Sequence, residues 1–191
     1  FDRLSKKSAL FIEIEKNKQC FQIIGTHLQS QRHSEKYNII RKKQLNTISG
    51  VFKEYYVHGI PQILAGDLNI VKSREEEKEV YCYLTEHLRM EDGDLCSDIK
   101  YTAQDPSNDI YKKPIPGKYE LIDYILLNPN GSESGIMNRK VIRYRKIYMN
   151  NISNKSDLSD HYAVRAVVVF EKNSDESEKI RNGNRSEGLR T

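Results

Sequence analysis

The chain contains no tryptophan and only three cysteines, Cys20, Cys82 and Cys96, none of them in a CxxC pair. A set so sparse and odd in number is neither a disulfide framework nor a zinc site, although a single bridge stays open. No apolar run approaches the length of a membrane-spanning helix. The chain opens on Phe1, not Met, without a charged-then-apolar signal segment. The expectation is therefore that an N-terminal portion lies outside these residues and took any localisation signal with it. There is no internal repeat and, between Leu10 and Phe170, no dense Lys/Arg block. The formal charge of +4 comes from 31 basic and 27 acidic residues of mixed order, which favours an ordinary solvated surface that still tolerates anionic substrates.

What is present suffices for one domain with a real core, since 191 residues carry 37% hydrophobic and 30% charged side chains. Leu10, Ile12 and Ile14 alternate with Phe11, Glu13 and Glu15, and Cys20 to Ile24 gives a second strand after a turn at Lys16-Asn17-Lys18. Ser34 is placed to cap a helix reaching about Tyr56, with Leu45, Ile48, Phe52 and Tyr55 at spacings of three and four. Gly59 and Pro61 follow as stop signals, and Arg41, one turn before Leu45, reads as a snorkelling surface arginine. Ser73 and Glu76 have capping-box spacing for a second helix, with Val80, Leu84 and Leu88 as its buried face. From Ser97 to Gly117 the chain is polar and punctuated, with Pro106, Pro114 and Pro116, and Thr102 and Asp105 are candidates for lining a site. Leu121 to Leu127 reads as a buried strand with Asp123 in its middle, and Asn128 to Gly135 as a loop. Val141 to Met149 is strand-like and Tyr162 to Phe170 is strongly apolar. Past Glu171 the composition collapses to Ser, Asn, Glu, Lys and Arg, so residues 171–191 read as a disordered tail. Asn-X-Ser triplets at Asn130, Asn151, Asn154 and Asn184 are explained by chance in so Asn- and Ser-rich a chain.

The central stretch is Gln62-Ile-Leu-Ala-Gly-Asp-Leu-Asn69, an apolar run that breaks into a carboxylate and a carboxamide two residues apart. Such a pair shares one side of an extended backbone and is the oxygen set that hard cations and attacking waters need. His27 just past a strand end and Asp160-His161 at the entry to the last strand are similarly placed. Asp123, inside an apolar run, is expensive unless paired, which favours a carboxylate that orients a histidine. Helices interspersed among apolar strands argue for a layered sheet-and-helix domain.

Gly25-Thr26-His27-Leu28-Gln29, Ala65-Gly66-Asp67-Leu68-Asn69, Ile122-Asp123-Tyr124 and Ser159-Asp160-His161-Tyr162 resemble, in order and approximate spacing, the last four signature blocks of the DNase-like endonuclease/exonuclease/phosphatase superfamily. Within it the chain looks most like the neutral, magnesium-dependent sphingomyelinases, on the Gly25-to-Gln29 form, the Arg41-x-x-Gln44-Leu45 that follows, and Ser159-Asp160-His161-Tyr162 before the last strand. The resemblance spans Leu10 to Phe170. It implies an α/β (α+β) fold, part of a four-layer α/β/β/α sandwich with mixed sheets, and makes residues 1–170 the C-terminal portion of that domain.

By resemblance, His161 is the general base, Asp123 holds its imidazole in the right tautomer, and Asp67 and Asn69 position water and phosphoryl oxygens. His27 donates to a phosphoryl oxygen, and Asp160, with Asp67, helps to hold Mg2+ or another divalent cation. The implied reaction is hydrolysis of sphingomyelin to ceramide and phosphocholine by a monomeric, secreted enzyme at a membrane surface, with no stable nucleic acid partner. Two departures stand beside this. The asparagine and glutamate of the superfamily's early block have no counterpart, and Glu13 and Glu15 lie in the wrong block to replace them. These 191 residues alone are therefore expected to bind metal poorly and to be inactive. The apolar hairpin of secreted bacterial sphingomyelinases is matched only by Tyr144, Ile147, Tyr148 and Met149, for which core strand positions are favoured over interfacial anchors. The alternatives are a nuclease or phosphoinositide phosphatase with the same machinery, and a non-catalytic remnant that binds a partner. The first is disfavoured by the lack of dense basic grooves, the second by an intact His27, Asp67, Asn69, Asp123 and His161.

Overall fold

A computed structural model describes residues 7–30, 34–111, 117–145 and 156–170. Strand β1 (Ala9–Lys16) turns into β2 (Gln19–His27) through Asn17 and Lys18, both at positive φ, +54° and +64°. Two consecutive left-handed residues are what a tight hairpin between twisted strands requires. Strand β3 (Gln62–Asp67) runs parallel to β2, and β4 (Asp123–Asn128) antiparallel to β3, so the sheet is mixed and ordered β1-β2-β3-β4. Strands β5 (Ser134–Ile142) and β6 (Ala163–Phe170) form a second, antiparallel sheet. The two sheets touch through Phe21 of β2 and Phe170 of β6, whose rings stack with centroids 5.9 Å apart.

The parallel β2–β3 pair needs a crossover, which helix α1 (Glu35–Glu54) supplies. Its buried stripe Leu45, Ile48 and Phe52 packs with Ile24, Leu64, Leu126 and Tyr124 of the sheet. Helix α2 (Glu75–Cys82), continued by a π-helical turn at Tyr83–His87, adds Val80 and Leu84 to the same core. Burying each large aliphatic side chain there stabilises the fold by about 1.5–3 kcal/mol.

Several expectations are corrected. Arg41 is fully buried, not snorkelling: it donates to Gln29 O at 3.0 Å and to Asn38 Oδ1, and lies 3.8 Å from Glu77, itself fully buried. The helix face that carries Arg41 meets α2 and not water, and sequence spacing alone does not distinguish those surroundings. Ser34 is the N-cap residue of α1, yet its side chain makes no capping bond. Ser73 and Glu76 do not form a capping box. Arg74 occupies the cap of α2, and the carboxylate of Glu77 takes the Val71 N–H at 2.6 Å and pairs with Arg74 at 3.1 Å. Strand β4 begins at Asp123, which places that carboxylate at a strand end, and β5 begins at Ser134, inside the expected loop. All three cysteines are free. The expected tail at 171–191, Pro114 and Pro116, Ile147 to Met149, and the triplet asparagines 151, 154 and 184 lie outside the described residues.

Candidate active site

Sheet register assembles the site. His27 pairs with Asp67 across β2–β3, and Asp67 with Asp123 across β3–β4, so three polar residues lie side by side in one row at one end of the sheet. The row's backbone is tight. Gly66 adopts φ +134°, and a Cβ there would sit 1.9 Å from Thr26 O, so only glycine fits beside β2. Asn69 takes φ +53°, a left-handed turn that asparagine tolerates better than most residues. That turn directs the Asn69 N–H to Asp67 Oδ1 at 2.9 Å, while Asn69 Nδ2 donates to Leu28 O at 3.2 Å. Asn69 is buried and ties the ends of β2 and β3 together under Asp67.

His161 arrives from the segment that leads into β6, and its Nδ1 lies 2.9 Å from Asp123 Oδ2. Nδ1–H donating to the carboxylate leaves Nε2 free to accept a proton. His27 Nε2 stands 3.3 Å from Asp67 Oδ2 and is more than half exposed. Oxygen and nitrogen atoms of Asp67, Asp123 and His161 lie within 4.8 Å of one another, a donor set able to hold a metal ion. Asp160 is exposed; among the described residues its carboxylate accepts only from Ser159 Oγ, at 3.4 Å, and it is not a member of that set. The structure thus brings His27, Asp67, Asn69, Asp123 and His161 together and leaves Asp160 at the surface beside them.

Electrostatics separate the titrating groups. Burial, then the neighbouring Asp123 charge, push the Asp67 carboxyl above its ordinary value, against the pull of His161, His27 and the Asn69 N–H. Burial opposes protonation of His161, but the Asp123 hydrogen bond and the charges of Asp123, Asp67 and Asp160 outweigh it and hold the imidazole above its usual value. Two carboxylates in one low-dielectric row are the arrangement that a hard divalent cation relieves.

The supports of this row were only partly visible in the sequence. Thr102 is buried, and its Oγ1 accepts the Ile122 and Asp123 N–H groups at 3.2 and 3.3 Å, which fixes the start of β4. Asp105 accepts from Tyr162 Oη at 2.6 Å and Tyr101 Oη at 3.2 Å, fixing the residue after His161. Both stood among the sequence candidates as site lining, whereas they act as supports. Asp157, Arg143 and Asn108 escaped notice altogether. Arg143 makes a bidentate pair with Asp157 at 2.6 Å, and Asn108 Nδ2 donates to Ser159 O, together tethering the segment before His161. Beside His161 a cavity of about 290 Å³ is lined by Asp123, Tyr144, Leu158, Ser159, Tyr162 and Ala163. Tyr144 and Leu158 are each 55% exposed, so Tyr144 is a surface residue and not the core position expected of it.

No protein-family model matches the chain. It is 29% identical over 186 residues to a phospholipase C of Staphylococcus aureus, an alignment covering 87% of this chain and 52% of that protein. It is 26% identical over 179 residues to a sphingomyelinase C of Bacillus cereus, covering 87% and 54%. A crystal structure of a Staphylococcus aureus beta toxin double mutant with bound magnesium ions superposes with a TM-score of 0.69 at 26% identity, over 87% of this chain and 58% of that one. The chain spans about half the length of these curated relatives. By sequence and by fold, the chain is similar to bacterial sphingomyelinase C and phospholipase C proteins and shares the beta toxin fold over the superposed residues.

Proposed function

We propose that the chain carries the base-and-orienter half of a magnesium-dependent phosphodiesterase that hydrolyses sphingomyelin to ceramide and phosphocholine. The observation that carries this reading is the His161–Asp123 pair at 2.9 Å, set beside the carboxylate of Asp67 in one row. With Nδ1 engaged by Asp123, Nε2 of His161 takes the proton of a water as its oxygen bonds to phosphorus. The bond from phosphorus to the ceramide oxygen breaks, and that oxygen leaves as an alkoxide to be protonated. Asp67, pinned by the Asn69 N–H, orients the water. Asn69 acts through Asp67, since its own amide donates to Leu28 O. His27, exposed at the row's edge, is placed to donate to a phosphoryl oxygen. Asp67 and Asp123 fit a divalent cation by donor chemistry, with Asp160 nearby, and bound magnesium would neutralise charge on the phosphoryl group.

A lipid substrate is supported by the apolar rim beside His161, where Tyr144 and Leu158 stand exposed, and by the names of the relatives. The enzyme is proposed to act outside the cell, as a monomer at a membrane surface. The test is phosphocholine release from sphingomyelin vesicles in magnesium by the protein that carries this chain, beside its His161→Ala variant. Release by the wild type alone supports the reading. Nicking of DNA without phosphocholine release would overturn it in favour of a nuclease of the same fold.

A further inference from the structure

We propose a second ligand site, for a soluble phosphate monoester, in a cleft of about 460 Å³ at the opposite end of the central sheet. Strand β3 enters the cleft at Gln62 and reaches the active row at Asp67, while β4 runs back from Asp123 to Asn128, so about 17 Å of strand separates the two. Lys53, His58, His87 and Arg89 line the cleft, and no carboxylate does. The side chains of Lys53 and Arg89 make no hydrogen bond or ion pair among the described residues. Buried Phe52 and Leu88 supply an apolar floor, so the space suits a phosphate that carries an organic body.

The last turn of α1 opens onto this cleft, and free carbonyls there would repel an anion. They are occupied: Val51 O and Lys53 O accept the Tyr55 and Tyr56 N–H groups, Phe52 O accepts from Gln62 Nε2, and Tyr55 O from Gln22 Nε2. On the facing side, Leu88 O accepts from Asn128 Nδ2. The walls are stapled as well. Asn130 Nδ2 bonds both Val57 O and Ile60 O at 2.8 Å, and Gly59 N–H donates to Asn130 O at 2.8 Å. Gly131 packs so closely that a Cβ would stand 2.2 Å from the His58 ring, and the His87 ring stacks on Tyr83 at 4.5 Å. Arg89 holds a left-handed backbone, φ +54°, unusual for a non-glycine residue. The result is a stapled rim that carries Lys53 and Arg89, without a carboxylate, over an apolar floor whose neighbouring carbonyls are occupied. A soluble source follows from the proposed function, because an active row turned to a lipid surface leaves this end of the sheet facing solution.

The experiment is a titration of ¹⁵N-labelled protein with inorganic phosphate at constant ionic strength, followed by amide shifts. Saturable shifts at Lys53, Gly59, Arg89 and Gly131 are expected. Lys53→Gln and Arg89→Gln, both at exposed positions, should each weaken binding about tenfold, as loss of a charge-assisted contact does. His161→Ala should leave these shifts unchanged, which separates this site from the failure or success of the phosphodiesterase reading. Saturation confined to the Asp67–Asp123 end, or shifts that rise linearly without saturating, would overturn the proposal. A second arm uses vesicles of equal parts phosphatidylcholine and phosphatidate. Sedimentation with them that is lost in Lys53→Gln would overturn the soluble source and assign the cleft to a lipid headgroup.

Discussion

His161 Nδ1 lies 2.9 Å from Asp123 Oδ2, joining residues 38 positions apart through the start of β4 and the approach to β6. The pair fixes which imidazole nitrogen is free and, against the effect of burial, raises the histidine's pKa. A general base must be neutral, so kcat/KM should fall as pH drops through a value above the ordinary histidine range near 6.5. In Asp123→Asn the raising charge is gone, and Nδ1 faces a neutral amide in place of a carboxylate. The acid limb should then move to lower pH while the maximal rate drops about 10²- to 10⁴-fold. A pH–rate profile of both proteins, with the His161 ring titrated by NMR in metal-free buffer, checks this; an unmoved ring titration would sink it. Because the folded-state pKa is raised, the pair's stabilisation is complete below about pH 6.5 and is lost as pH rises through that raised value.

Asp67 shifts in the same direction, but through a penalty on its charged form. Its folded-state pKa is raised from 3.8, chiefly by burial and then by Asp123, so stability falls as pH climbs between the unfolded and folded values. The ionised carboxylate is a destabilised group held for function. Asp67→Asn keeps an oxygen for the Asn69 N–H and removes the charge. The variant should melt at a temperature equal to or above wild type, yet lose activity by about 10³-fold. In the protein that carries this chain, magnesium should raise the melting temperature of the wild type and not of the variant, since only a ligand of the native state shifts that equilibrium. Calorimetry with and without magnesium decides it.

Thr102 tests whether the support beneath the row matters to rate. Thr102→Val keeps the shape but strands the Ile122 and Asp123 N–H groups, which should cost about 1–3 kcal/mol in urea denaturation. Asp123 would then be less firmly aimed, so kcat should fall with KM nearly unchanged, and the His161 ring titration should shift toward its ordinary value. Thr102→Ser, which restores the hydroxyl, should recover all three.

How far the sequence disclosed this arrangement depends on which residues are asked. His27, Asp67, Asn69, Asp123 and His161 were legible because strand ends punctuated by polar residues are rare in apolar runs, and their order resembles known blocks. The antiparallel β1–β2 hairpin and the helix from Glu35 were legible from period and turn chemistry. Arg41, Glu77 and Arg139 were not, because burial of a charge is decided by which elements meet, and nothing in the local pattern records that Arg139 of β5 is fully buried against Asp92 at 2.9 Å. Asn69 was legible as a site residue, but its main bonds are to Leu28 O and Asp67, a distinction that only the left-handed turn reveals.

Arg41 therefore supplies a stability prediction that the sequence would not have made. Its guanidinium bonds Gln29 O just past β2, Asn38 on α1, and approaches Glu77 on α2, so one fully buried side chain joins three segments. Truncation to Ala leaves Glu77 with Arg74 alone and the Gln29 carbonyl without this donor. A loss of about 3–5 kcal/mol is expected, as for breaking a buried charge pair from one side. Arg41→Met, which fills the volume without the charge, should still be clearly destabilised. Urea midpoints of the two variants check this; a change below 1 kcal/mol for Arg41→Ala would contradict it.

Gly66 gives the sharpest test of the row itself. At φ +134° an L side chain is strained whatever space surrounds it, and here a Cβ would come within 1.9 Å of Thr26 O and 3.0 Å of Thr26 C, both main-chain atoms that no rotamer change can move. Gly66→Ala must push β2 away from β3 at the point where His27 pairs with Asp67. The prediction is a destabilisation of about 2–4 kcal/mol from strain and lost strand pairing, with activity falling further than stability alone accounts for. Measured below the melting transition, the folded variant should show less than a tenth of wild-type kcat, because a misplacement of about 1 Å costs on the order of 10²-fold. Ala65→Gly, one residue earlier and free of the left-handed requirement, serves as the control: it should weaken β3 by about 0.5–1 kcal/mol and leave kcat within twofold.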